Sequence, residues 1–112
     1  VRRRSPLCGS SVTVDVVVAD GRIAAFAQDV KACALGQASA SILGRVVLGR
    51  SLAELQTARD ALRTMLKDGG PFPPAPFDGY DVLIPAREYK NRHASILLAL
   101  DAVCDAMTAA GA

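Results

Sequence analysis

An Asp20-Gly21 pair set between two apolar runs limits the folding of this chain more than any other feature of its sequence. From Ser11 to Ala19, the residues Val12, Val14, Val16 and Val18 alternate with Thr13 and Asp15. Alternation of this kind is the period of a strand, whose successive side chains leave opposite faces, so the segment reads as a half-buried strand. Asp-Gly suits the two left-handed positions of a type I′ turn, whose twist matches that of paired strands, and Arg22 to Val30 is therefore expected to return antiparallel. Its large apolar residues, Ile23 and Phe26, do not alternate cleanly and leave the register open.

The flanking segments follow from local rules. Val1 to Leu7 reads as an extended edge strand, because Pro6 removes a ladder donor and disfavours helix for Ser5, and Cys8-Gly9-Ser10 reads as a turn. A helix is expected from Cys33 or Ala34 to Leu48, with Ile42, Leu43, Val46 and Val47 as its apolar stripe and Gly49 as its stop. Ser51 followed by Glu54 is a capping box. It opens a helix that buries Leu52, Leu55, Ala58, Leu62 and Leu66 and runs to Lys67 or Asp68. Gly69 to Pro76 is too rich in proline for regular structure. Within Asp78 to Tyr89, Val82-Leu83-Ile84 suits either a brief strand or an anchored loop. A last helix is expected from Lys90 or Asn91 to Ala110, with Leu97, Leu100, Cys104 and Met107 at helical spacing.

At 112 residues and 51% hydrophobic content, residues 1–112 suit one domain with a modest core. A net charge of +2 and a pI near 8.6 are too mild to argue for nucleic acid, and Arg2-Arg3-Arg4 reads as a solvated edge-strand face. No apolar run approaches the ~18 residues of a membrane span, and no secretory signal opens the sequence. A cytoplasmic protein is expected. Its three cysteines are too few and too odd in number for a disulfide framework, and read as thiols, ligands or core.

Cys33 stands where the second returning strand gives way to a helix of very small residues, Ala34 to Ser41. The first amides of a helix lack intrahelical partners and carry partial positive charge, which favours the thiolate, the form that binds metal and attacks electrophiles. The small residues let a backbone or a cluster come close. Cys104 suits a core position beside Leu100 and Met107. It lies about 16 Å along a helix from His93 at ~1.5 Å per residue, too far to share an ion with it.

Several segments resemble the U-type iron–sulfur cluster assembly scaffolds, the family of IscU, SufU and the NifU N-terminal domain. Ser5-Pro6-Leu7-Cys8-Gly9 is similar to the family's Asn-Pro-x-Cys-Gly-Asp, and the segment from Cys33 to Ser41 to its Cys-Ala-Ile-Ser-Gln-Ala-Ser-Ala-Ser. Gly49-Arg50-Ser51-Leu52-Ala53-Glu54 resembles Gly-Lys-Ser-Leu-x-Glu, and His93-Ala94-Ser95-Ile96-Leu97 resembles His-Cys-Ser-Ile-Leu. The resemblance implies an α+β fold, a three-stranded antiparallel sheet packed by helices (SufE/NifU-like, IscU-like). The helix that usually opens the family is not among these residues, and the missing initiator Met suggests a start further upstream.

By the same resemblance, Cys8, Cys33 and His93 are the candidate ligands for iron, a [2Fe-2S] cluster or zinc. Ser10 stands in place of the family's aspartate and Ala94 in place of its third cysteine; a one-residue gap would bring Ser95 to that position instead. Three ligands do not close a structural zinc site, and a [2Fe-2S] cluster needs four, which two protomers would supply with Cys8 and Cys33 each. The expectation is a non-catalytic scaffold with an incomplete site, monomeric or weakly dimeric, that binds its metal weakly. Its implied partners are a cysteine desulfurase, an iron donor and apo-protein recipients. The alternatives are a metal-free interaction or regulatory protein that keeps the fold, and a thiol sulfur acceptor using Cys33. Replacing Ala94 by Cys and Ser10 by Asp is expected to strengthen zinc binding.

Overall fold

The computed structural model describes residues 1–5 and 9–112, so Cys8 and the start of its expected turn lie outside the described residues. Strands β1 (Arg2–Arg4), β2 (Ser11–Ala19) and β3 (Arg22–Lys31) form one antiparallel sheet in chain order. Asp20 and Gly21 both have positive φ, 53° and 73°, as a type I′ turn requires. The pairing steps from Val17–Ala25 to Val18–Ile23, which leaves Ala24 as an extra residue on β3. This bulge puts Ile23 and Phe26 on the same inward face despite their odd spacing.

Helix α1 spans Ala34–Val46 and α2 spans Leu52–Asp68. α1 ends two residues sooner than its apolar stripe suggests, because the chain beyond it pairs with the start of β3. Gly49 donates its N–H to the Ile23 carbonyl at 2.8 Å, and Ile23 donates to Arg50 at 3.0 Å. The capping box closes as expected: the Ser51 hydroxyl accepts from the Glu54 amide at 3.2 Å, and the Glu54 carboxylate accepts from the Ser51 amide at 3.2 Å. Arg22 ties β3 to the same corner through the Gly49 carbonyl and the Glu54 carboxylate. α2 buries Leu55, Ala58, Leu62, Met65 and Leu66.

The segment Asp78–Glu88 is neither strand nor loop but 3₁₀ helix. With three residues per turn its side chains eclipse every third position, and Phe77, Tyr80, Leu83 and Ala86 form a single buried stripe. A second 3₁₀ turn, Lys90–Arg92, leads into α3 (His93–Ala109). α3 is apolar almost all round and packs on α1, α2, β1 and β2, so it is the centre of the core. Cys104 is buried within it, as expected. On its more polar side Asp105 pairs with Arg3 at 2.7 Å and Asp101 with Arg63 at 3.7 Å. Among the described residues no helix is long and apolar enough to cross a membrane.

Candidate functional site

Cys33 is the N-cap of α1, extended at φ −65° and ψ 172°, and its carbonyl accepts the first helical bond from Gln37 at 2.9 Å. Its half-buried thiol faces α3: Sγ lies 3.5 Å from the Ser95 hydroxyl, which in turn donates to the Ser10 hydroxyl at 3.0 Å. Partial burial works against the thiolate. The Ser95 hydroxyl, the Gly36 and Leu35 amides and the Arg92 charge together outweigh it, and the thiol titrates below its ordinary value.

The approach of α1 to α3 explains the run of small residues after Cys33. A Cβ on Gly36 would stand 2.6 Å from the Ser95 hydroxyl oxygen and 2.7 Å from the Ala32 Cβ, too close for any side chain. One turn later the Ser39 hydroxyl donates to the Ile96 carbonyl at 2.5 Å. It is therefore the backbone of α3 that comes close to these small residues, and it carries Ser95 to the thiol.

Of the expected site residues, Cys33 and Ser10 meet through Ser95. His93 does not join them. A helix turns ~100° per residue, so His93 and Ser95, two apart, face nearly opposite sides of α3. The His93 ring is buried, with Nε2 at 3.2 Å from the Ala86 carbonyl and 3.1 Å from the Arg87 carbonyl. A nitrogen set between two acceptors carries the proton, which leaves only Nδ1 with a lone pair. The ring borders a different cavity, of about 380 Å³, with Lys67, Arg87 and Lys90. Arg87 there caps the end of α2 through the Met65 carbonyl at 2.6 Å and the Gly70 carbonyl.

Ala94 is exposed, and it is Ser95 that occupies the place opposite Cys33. Among the described residues no three His, Cys, Asp or Glu side chains gather at one point. The donors described near Cys33 are one thiol and two hydroxyls. A hydroxyl stays protonated near neutrality and is a poor ligand, so a soft metal ion would rest on thiolates and exchangeable groups. Ser95 was open in the sequence as the alternative to Ala94, whereas Arg92 carried no signal there, since only the crossing of α1 and α3 brings its charge to the cysteine.

No protein-family profile and no curated protein matches this sequence. Solved structures do. The N-terminal part of a nitrogen-fixing NifU-like protein from Brucella abortus superposes with a TM-score of 0.93 at 50% identity, covering 96% of this chain and 74% of that one. A protein from Fervidobacterium islandicum AW-1, assigned as an iron–sulfur cluster assembly scaffold for the SUF system, shares the fold at a TM-score of 0.77 and 22% identity, over 95% and 77% of the two chains. At half-identity over 96% of its length to the NifU-like protein, the chain belongs to the NifU-like, U-type scaffold family.

Proposed function

We propose that this protein is a non-catalytic scaffold of iron–sulfur cluster assembly, which holds iron or a nascent [2Fe-2S] cluster as cargo on the thiolates of Cys8 and Cys33. The observation that carries this reading is the Cys33 thiol itself, half-buried at a helix start beside the Ser95 hydroxyl, with its titration lowered. Ser95 has one proton to give. In the thiol form it serves Ser10 while the thiol can donate to Ser95; once the thiolate forms, the same hydroxyl can turn to Sγ. The pair thus supports a charged sulfur without competing strongly for the metal.

Because serines stand beside Cys33, the coordination is incomplete within one chain. Cargo is then held by two thiolates and exchangeable ligands, or across two protomers that each give Cys8 and Cys33. Such a site loads and unloads readily, which suits a scaffold that passes cargo from a cysteine desulfurase and an iron donor to apo-protein recipients in a reducing, cytoplasmic setting. A ligand role for His93 belongs to the same proposal, and it requires Nδ1, or release of Nε2 from the Ala86 and Arg87 carbonyls. Ser10 and Ala94, standing where the resemblance places an aspartate and a third cysteine, favour one competing reading, a metal-free interaction protein on the same fold.

Anaerobic reconstitution with ferrous iron and sulfide separates the two. The scaffold reading expects visible charge-transfer absorbance and bound iron that vanish in Cys33→Ala and Cys8→Ala and persist in Cys104→Ala. No bound iron in the unaltered protein favours the metal-free reading.

A further inference from the structure

The arginine triplet of β1 does not act as one patch. Arg3 lies on the same sheet face as its pairing partner Val12 and reaches Asp105 of α3 while staying exposed. Arg2 and Arg4 lie on the opposite face of the sheet, and the register Arg4–Ser11–Lys31 lines two cations up across all three strands. Arg2, Arg4 and Lys31, with Ser5, Gly9 and Ser11, line an open cavity of about 650 Å³, and among the described residues no carboxylate stands in its wall. Among the described residues these three cations are in no ion pair, whereas Arg3, Arg22, Arg50, Arg59 and Arg63 each are. The nearest acidic position on that face, Asp29, shares the row of Arg2 and Thr13 and is not among the residues described in the cavity wall.

The location is as informative as the charge. Lys31 precedes Cys33 by two residues, and Ser5 and Gly9 flank the segment that contains Cys8. The cavity therefore adjoins the end of the sheet where the cargo site is built. Among the described residues no aromatic side chain lines it, so they offer no stacking platform of the kind on which single-stranded nucleic acid is held. Its length across three strands exceeds one small anion and matches a short extended chain.

We infer that this cleft docks a carboxylate-rich segment of a protein that exchanges cargo with the neighbouring cysteines. The inference rests on the scaffold reading for the purpose of docking but not for the binding itself. Charges of this kind act mainly on encounter and register, and their effect weakens as salt shortens the Debye length from ~30 Å at 0.01 M to ~8 Å at 0.15 M.

The test is a titration of the ¹⁵N-labelled protein, at about 0.01 M ionic strength, with an acetylated hexapeptide of four glutamates and two leucines. The expected result is saturable shifts at Arg4, Ser11 and Lys31, with affinity reduced about tenfold in Arg4→Glu and in Lys31→Glu, as one charge reversal in an exposed cleft allows. All three cationic side chains are exposed, so these variants keep the fold, and exposed Arg45→Glu serves as the control that leaves binding unchanged. Three results would overturn the inference: no saturable shifts, equal weakening in Arg45→Glu, or tighter binding of pyrophosphate or a thymidine oligonucleotide at the same residues. Iron reconstitution run beside it tells the two claims apart. Cargo bound without peptide docking removes this cleft alone, and peptide docking without cargo removes the scaffold reading alone.

Discussion

Cys33 and Cys104 carry the same thiol in opposite surroundings. Cys33 caps a helix at the surface of the α1–α3 crossing, where a hydroxyl, two amides and an arginine pull its titration down despite partial burial. Cys104 sits on α3 among apolar side chains, where burial pushes its thiol up to about 11. Nothing in the residue type distinguishes them. The difference comes from which element end or helix face each occupies, so a cysteine count says little until the helices are placed.

The widest gap between the two is expected in alkylation. In a Cys8→Ala background at pH 7, Cys33 should react with iodoacetamide at least ~100-fold faster than Cys104, since the thiolate fraction falls tenfold per pH unit below the thiol's titration point and burial slows access further. Peptide mapping after timed quenching reads both rates, and equal rates would erase the comparison. Stability sharpens it from the other side. Cys104→Ser places a hydroxyl in the core and should cost about 1–3 kcal/mol in urea unfolding, while Cys33→Ser, half-exposed and near other hydroxyls, should stay within about 0.5 kcal/mol.

The smallest effect isolates one hydrogen bond. Ser95→Ala removes the hydroxyl that lowers the Cys33 titration, so its pH–alkylation profile should move to higher pH. The sign follows from losing a donor to the charged form, and the rate at pH 7 should fall about fivefold, near the ~1 kcal/mol of a single bond. A profile that stays in place would assign the lowering to the Leu35 and Gly36 amides and Arg92 instead.

Much of the fold could be read locally. The alternation from Val12 to Val18, the Asp20-Gly21 turn and the Ser51–Glu54 box each form within a few residues, and each is present as expected. The parts left open or misread depend on contacts from elsewhere. Ile23 and Phe26 share a face only because a bulge at Ala24 accompanies pairing of the β3 start with Gly49 and Arg50. The buried positions Phe77, Tyr80, Leu83 and Ala86 do repeat every three residues, yet Gly79 and Pro85 hide them from a search for periods of two or 3.6. Leu97, Leu100, Cys104 and Met107 of α3 are buried at the expected helical spacing, and Ile96, Leu98, Ala99, Val103 and Ala106 are buried as well because other elements cover the remaining faces.

The site was legible in the same uneven way. Cys33 at a strand-to-helix boundary is a local signal, and the structure keeps it there. That Ser95 rather than Ala94 faces it, and that His93 turns toward the Ala86 and Arg87 carbonyls, depends on the rotation of α3 about its axis. A run of letters such as His93-Ala94-Ser95 contains all three answers until that rotation is known.

On the proposed scaffold role, the place opposite Cys33 is a ligand position that holds the Ser95 hydroxyl. Competition of zinc between a chromophoric chelator and three proteins tests it: the unaltered chain, Ser95→Cys and Ala94→Cys. Adding a thiolate at a true ligand position should tighten zinc binding by orders of magnitude, so Ser95→Cys should hold zinc far more tightly than the weakly binding unaltered protein, and Ala94→Cys should match the latter. Tight zinc in the unaltered protein, or a gain in Ala94→Cys with none in Ser95→Cys, would contradict it.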